Sequence, residues 1–152
     1  MLQNSLVAEA LRGSTWVYPL VNAAHILGFA LLVGAIVPLD LRRLGVWWSV
    51  PAATLSRVLT PVAVTGLLIA VTAGGFLFIA RAVEYAASGL FQTKMLIVTL
   101  AVVNALIFRR NGLHRDACPS NLTDTIAARG TALVSLLCWP TALLLGRLVG
   151  YF

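Results

Sequence analysis

The chain has 152 residues, of which 60% are hydrophobic and 11% charged, with a net charge of +6. A soluble domain carries roughly 25% charged residues to cover its surface, so these proportions exclude an ordinary water-soluble fold. Long apolar runs separated by clustered charges fit a polytopic membrane protein whose partner is the lipid bilayer. The positive charge is not a nucleic-acid signal: no basic stripe with interleaved aromatics occurs, and the arginines fall at the ends of apolar segments.

At the N-terminus, "MLQNSLVAEALRGSTW" lacks the basic region and continuous apolar core of a signal peptide. Leu2, Leu6, Val7 and Ala10 instead predict a short amphipathic helix on the membrane surface, with Glu9 and Arg12 on its wet face. Four segments are long and apolar enough to approach the ~20 residues a spanning helix needs. They run from about Trp16 to Leu39, Thr60 to Ala80, Thr93 to Phe108 and Gly130 to Gly150. Lipid offers no partner to unpaired backbone groups, so each is helical. The predicted fold is all-α: a single integral membrane domain over residues 1–152, a four-transmembrane-helix bundle with short amphipathic interfacial helices.

Between the first two spans, "VWWSVPAATLSRVL" places Trp47 and Trp48 at headgroup depth. Ser49 is a candidate helix cap with Pro51 in the first turn, and Pro61 is expected to break or bend the path into the second span. Within that span Gly66, Ala70 and Gly74 form a small-residue ladder, the signature of close helix packing and the expected seam of the bundle. The next connection, "RAVEYAASGLFQTK", is short and half apolar, and predicts a helical turn lying flat with an Arg81–Glu84 pair. In "RRNGLHRDACPSNLTD", Asn111-Gly112 is a stop signal for the third helix, and Asn121 or Thr123 a cap for the fourth. His114 and Cys118 are two ligands at most, too few to close a zinc site. Cys118 and Cys138 form no disulfide framework. Pro140 predicts a kink in the fourth span, with Ser135 or Thr141 serving the freed backbone groups.

Lysine and arginine in the connections set orientation. Arg42, Arg43, Arg57, Arg109, Arg110, Arg115 and Arg129 lie on one side, and Arg12, Arg81, Lys94 and Arg147 on the other, seven against four. The excess marks the cytoplasmic side, which puts both termini in the periplasm of a bacterial inner membrane.

Polar groups inside spans are costly and mark function by default. His25 lies in the outer half of the first span, with Asn22 and Gly28 three residues to either side. A neutral imidazole offers one ligand nitrogen and one donor. Asn22 is a candidate to orient the ring, and Gly28 to leave space for a flat macrocycle. Lys94 opens the third span on the same side, where Arg81 and Arg147 also lie. Together these residues suit heme b, with iron at His25 and propionates toward the cations; copper at His25 is the second choice. The only other histidine, His114, is on the wrong side, which leaves Met95, Lys94, a water or His25 of a second subunit as the other axial ligand. Against this stands the plainer reading of His25 as an interhelical hydrogen bond. At the other end, Asp40 is expected to pair with Arg109 and tie the first helix to the third. No phosphate loop, nucleophile–base pair or intramembrane carboxylate pair supports a hydrolase or NTPase.

The stretches "WVYPLVNAAHILGFALLVGAIVPLDLRRLG", "TPVAVTGLLIAVTAG" and "LFQTKMLIVTLAVVNALIF" resemble a family of small bacterial four-helix membrane proteins of unknown function. The matches include His25, Gly28, Gly34, Asp40-Leu41-Arg42, Pro61, Gly66, Lys94 and Asn104. The chain is also distantly similar to the copper-resistance D domain and to HemJ-type protoporphyrinogen oxidases, helical bundles with a histidine in an early helix and a lysine opening a later one. The resemblance implies the architecture, and it makes His25 and Lys94 candidate cofactor residues. Three functional expectations follow: a redox or metal-handling role at His25, a non-catalytic accessory subunit that packs as a homo-oligomer or against other membrane subunits, and a small permease lined by His25 and Lys94.

Overall fold

The computed structural model describes residues 15–115 and 122–148, with the side chains of 111–125 excepted. The expected N-terminal surface helix, Cys118, Asn121 and the His114 side chain therefore lie outside the described residues. The described chain is helical and holds no strand. Its elements are α1 (Val17–Arg43), α2 (Ala52–Ala80), α3 (Ala82–Ala87), α4 (Gly89–Arg115) and α5 (Leu122–Leu148). Four of them are long and apolar enough to cross a membrane. Large side chains such as Leu27, Leu68, Leu96, Leu106, Leu137 and Leu144 are each more than half exposed around the outside. Water would not tolerate so continuous an apolar surface, whereas lipid does. The chain is a multi-pass, all-α membrane protein.

Every span is longer than the sequence suggests, because apolar content marks only the part in hydrocarbon while the helix continues into the interface. Helix α2 starts at Ala52 and runs through Pro61 without interruption. Its N-cap is Pro51, at φ −60 and ψ 123, and Ser49 makes no cap hydrogen bond. The helix thus begins where proline leaves the extended conformation, correcting the expected serine cap. Similarly, α4 passes through Asn111-Gly112 to Arg115, since one glycine in a helix costs only about 1 kcal/mol. Thr123 lies inside α5, and its side chain is outside the described residues.

Helices α1 and α5 occupy the middle of the bundle, with α2 flanking α1 and α4 flanking α5. The α2 and α4 backbones do not approach each other. The core is small: Phe29, Leu32 and Ala35 of α1 meet Ala63 and Ala70 of α2, Ala101 of α4, and Trp139 and Ala142 of α5. At one end the spans carry Arg42, Arg43, Arg109 and Arg110; this is the basic end. The opposite end carries His25 and Lys94 and is closed by aromatic stacking, with Phe91 of α4 at 5.5 Å from Phe78 of α2 and 5.3 Å from Tyr85 of α3.

The α1–α2 seam is the tightest contact. A Cβ on Gly28 would stand 2.5 Å from the Ala70 amide nitrogen and 2.8 Å from the Gly66 carbonyl. A Cβ on Gly66 would stand 2.6 Å from the Leu32 nitrogen. The two backbones touch, as the small-residue ladder of α2 predicts. On the other flank, Asn104 of α4 donates from Nδ2 to the Thr131 carbonyl of α5 at 2.9 Å, a side-chain tie between two neighbouring helices.

Candidate functional site

The site is assembled around Phe29, which lies one turn beyond His25 on α1. The two rings meet edge to face, 5.5 Å apart at 66°. His25 reaches across the α1–α2 seam, where Nδ1 lies 2.7 Å from the Ala70 carbonyl oxygen. A carbonyl only accepts, so Nδ1 carries the proton and Nε2 is the free-lone-pair nitrogen. The ring fits because Gly74 lacks a side chain: a Cβ there would lie 2.9 Å from Cε1 and 3.1 Å from Nδ1.

Two expectations are corrected by this geometry. Asn22 is exposed and does not orient the ring; the Ala70 carbonyl does, because it is fixed in the facing helix wall. Gly28 does not open a space for a macrocycle, because the backbone of α2 fills it. The residue that makes room for the imidazole is Gly74, one turn beyond Ala70 in the same ladder.

Lys94 comes to the same ring from α4. Its Nζ lies 5.4 Å from the Phe29 centroid, a cation–π contact of about 0.5–2 kcal/mol depending on desolvation. The side chain lies across Gly146 of α5, with Nζ 3.0 Å from where a Cβ would be. Lys94 has no ion pair among the described residues. It is half-buried and bends inward, in place of the snorkelling that a span-end lysine ordinarily adopts. The third neighbour of Phe29 is Trp139 of α5, at 6.5 Å and 65°. Trp139 is 1% exposed, and its indole N–H is buried with no acceptor. One imidazole and one ammonium therefore converge on a single phenyl ring within the membrane, and that ring packs edge-on against the buried Trp139 indole. Sequence reasoning missed Phe29 and Trp139, although the i+4 spacing of Phe29 from His25 signals that they share a face.

Arg81 is placed nearer the membrane surface. Seven residues, about 10 Å of helix, separate it from Gly74. It is exposed, pairs with Glu84 at 3.4 Å as expected, and lies 5.9 Å from the Tyr18 ring. In α3, burial together with a hydrogen bond that the Tyr85 hydroxyl donates to Tyr18 pushes the Tyr85 phenol up to about 12. Arg81 thus belongs to an aromatic rim above the site and does not line it. Met95 is 46% exposed and lies beside Lys94 in sequence, about 100° further round the helix, so it is not an inward-facing ligand.

Among the described residues, no three His, Cys, Asp or Glu side chains cluster as a metal-binding group. A groove of ≈ 430 Å³ on the outside of α1 and α2 is lined by Val21, Ala24, Leu68, Ile69, Thr72 and Phe76. Its one hydroxyl, on Thr72, donates to the Leu68 carbonyl at 2.8 Å, so the groove presents only hydrocarbon.

At the basic end the expected Asp40–Arg109 tie is absent. Asp40 Oδ1 accepts from Arg43 Nη1 at 2.6 Å, one turn along the same helix. Arg43 in turn covers the Phe108 ring of α4 at 3.9 Å. The i,i+3 geometry brings Arg43 to the carboxylate without any interhelical reach, and Arg109 is exposed.

The fold and the site together define an integral membrane helical bundle with an intramembrane imidazole–ammonium pair. No protein-family model, no curated protein and no solved structure matches this chain.

Proposed function

We propose that the chain is a bacterial inner-membrane protein that binds heme b through Nε2 of His25 and serves a redox role. The observation that carries this reading is the 2.7 Å contact between His25 Nδ1 and the Ala70 carbonyl oxygen. A ligating histidine typically gives its second N–H to a carbonyl or carboxylate, which fixes the tautomer and aims the other nitrogen. Heme asks the protein for one or two donors, since the macrocycle supplies four. Copper asks for several protein donors, and among the described residues no three His, Cys, Asp or Glu side chains cluster. The donor set therefore fits heme and does not fit a protein-built copper site.

In this reading Lys94 neutralises an acidic group of the cofactor, while Trp139 packs edge-on against Phe29. Arg81 acts at the rim, by charge alone. Any further donor to such a group would come from a small molecule or from a second copy of the chain, which makes the homo-oligomer part of the proposal. When bound, heme supplies one-electron chemistry; the protein holds the ring nitrogen, excludes water with Phe29 and Trp139, and balances charge with Lys94. The seven-to-four excess of cations at the basic end supports a cytoplasmic placement of that end, with both termini periplasmic. The resemblance to HemJ-type and copper-resistance D proteins, carried by His25 and Lys94, points the same way.

The test is the absorption spectrum and metal content of the protein purified in mild detergent. A Soret band in the wild type, lost in His25→Ala and kept with weaker heme retention in Lys94→Gln, is the expected result. A colourless, metal-free wild type, or an unchanged band in His25→Ala, overturns it. A colourless wild type favours the second reading, an accessory subunit in which His25 serves only as an α1–α2 hydrogen bond, since that bond alone already satisfies Nδ1.

A further inference from the structure

Asp40 is the least expected group in the bundle. It is a carboxylic acid inside a span, 0% exposed, among only five acidic residues in the whole chain. Burying an ionised carboxylate is expensive unless it is paired and hydrogen-bonded. Arg43 serves Oδ1, yet Oδ2 is buried with no partner. The Ser135 hydroxyl of α5, on a residue only 7% exposed, faces the same carboxylate from across the α1–α5 interface. With the carboxylate ionised, its charge rests on Arg43 and on no more than the Ser135 hydroxyl in a dry interior. With Oδ2 protonated, the carboxyl is neutral and Arg43 loses most of its reason to stay.

Arg43 has somewhere else to go. Its side chain is 28% exposed, and it already rests on Phe108 of α4. It therefore sits between a carboxylate, a ring and the headgroup zone. The neighbouring Arg42 is committed elsewhere: Nε donates to the Val50 carbonyl at 2.6 Å and Nη2 to the Trp48 carbonyl at 3.0 Å. The charged groups facing Asp40 are few. Arg43 is on its own helix; α5 presents Ser135, with Trp139 one turn on; α4 presents Phe108, with Arg109 and Arg110 exposed beyond it; and Arg57 of α2 is exposed.

We propose that Asp40 is a proton-binding site that opens to the basic end of the bundle, with Arg43 as its gate and Ser135 as its partner across the α1–α5 interface. An O–H bond forms at Oδ2 with a proton taken from water at the basic end, the carboxylate charge is neutralised, and Arg43, already stacked on Phe108, lets go of Oδ1 and moves toward the headgroups. Loss of the proton reverses each change. The ligand is the proton itself, and the geometry makes the site independent of what His25 binds, about 22 Å further along the helix at 1.5 Å per residue.

The test is infrared difference spectroscopy of the full-length protein in lipid, stepped in pH. A protonated-carboxyl C=O band should grow as pH falls, shift in D2O, and vanish in Asp40→Asn, which keeps the side-chain shape. In Arg43→Gln the band should appear at a pH higher by one unit or more, a tenfold gain in proton affinity; in Ser135→Ala its frequency should move. Wild type labelled with carboxyl-13C aspartate separates the three aspartates from the two glutamates without substitution, and the loss in Asp40→Asn then assigns the band to Asp40. The proposal is overturned if no such band arises at any pH where the helical circular dichroism persists, if the band does not change with pH, or if Asp40→Asn retains it.

Discussion

The two flanking helices, α2 and α4, are held to the middle of the bundle in different ways. Helix α2 lies backbone against backbone on α1 through Gly28, Gly66 and Ala70. Helix α4 runs alongside α5 at the buried Ala101 and Ala132, and adds side-chain ties: Asn104 to the Thr131 carbonyl, Lys94 over Phe29 and across Gly146, and Phe108 under Arg43. The most apolar stretch of α2 is 28% buried and that of α4 only 6%. The difference has a physical origin. Lipid is as apolar as a leucine side chain, so helices in a membrane associate through close packing and polar ties and gain little from burial itself. One flank rests on the first device and the other adds the second. The rigid flank supplies the fixed carbonyl that holds His25. The other flank supplies the Lys94 ammonium.

The sharpest way to break this contrast is to add bulk at the α1–α2 seam. Gly66→Leu has no room, because even a Cβ there meets backbone atoms at 2.6 and 2.7 Å. Backbone cannot step aside as a side chain can, so the helices must separate. Overpacking of a tight core costs about 1–3 kcal/mol, occasionally more, and this site belongs at the upper end. Unfolding in a mixed-detergent titration should show Gly66→Leu destabilised by about 3 kcal/mol. Gly34→Ala is the control, since a Cβ there meets nothing within 4 Å. It should be neutral or stabilising by up to about 1 kcal/mol, the helix preference of alanine over glycine. Equal losses in the two variants would remove the claim that the seam is special.

Gly74 separates position from stability. A Cβ there meets the tip of the His25 ring and no backbone. Gly74→Ala should leave the helices paired and displace the imidazole from the Ala70 carbonyl. The expected readout is a shifted histidine ring nitrogen resonance with stability changed by about 1 kcal/mol or less. On the α4 flank, Asn104→Ala removes one interhelical hydrogen bond, and such bonds average about 0.6 kcal/mol in membrane bundles. The same unfolding titration should register a loss of that size. A loss of several kcal/mol would mean that α4 depends on Asn104 far more than a single bond allows.

The legibility of the bundle in the sequence follows the same division. The spans and the α2 ladder were readable because hydrocarbon thickness and backbone approach each demand a local pattern: a run of apolar residues, and small residues at four-residue spacing. Helix ends were less readable, since Pro51, Pro61 and Gly112 act on backbone geometry that their neighbours can override. His25 and Lys94 stood out as polar residues in apolar surroundings, and the structure brings both to Phe29. Their partners were hidden for a different reason. The Ala70 carbonyl has no letter of its own, Phe29 and Trp139 look like any other apolar residue, and the choice of Gly74 over Gly28 as the ring's cradle depends on a helix crossing that no local pattern encodes. Asp40 was visible as a charge, but its partner was assigned to Arg109 by depth alone, and one turn of its own helix supplied Arg43 instead.

The smallest effect lies at the rim, where α3 bridges the two flanks through Tyr85 and Phe91. The Tyr85 phenol is held up to about 12, first by its burial and then by its hydrogen bond with Tyr18. A phenol whose folded value exceeds its unfolded value of 10 stabilises the fold while it stays neutral. That contribution is complete below about pH 10 and is lost as pH rises from there toward 12. Tyrosinate absorbance in a pH titration should therefore show a component with a midpoint near 12, and Tyr85→Phe should remove it. Tyr18→Phe should bring the Tyr85 transition down only part of the way, because burial, the larger cause, stays in place. A complete return to 10 in Tyr18→Phe would show that the hydrogen bond, and not the packing of α3 between α2 and α4, sets the chemistry of the rim.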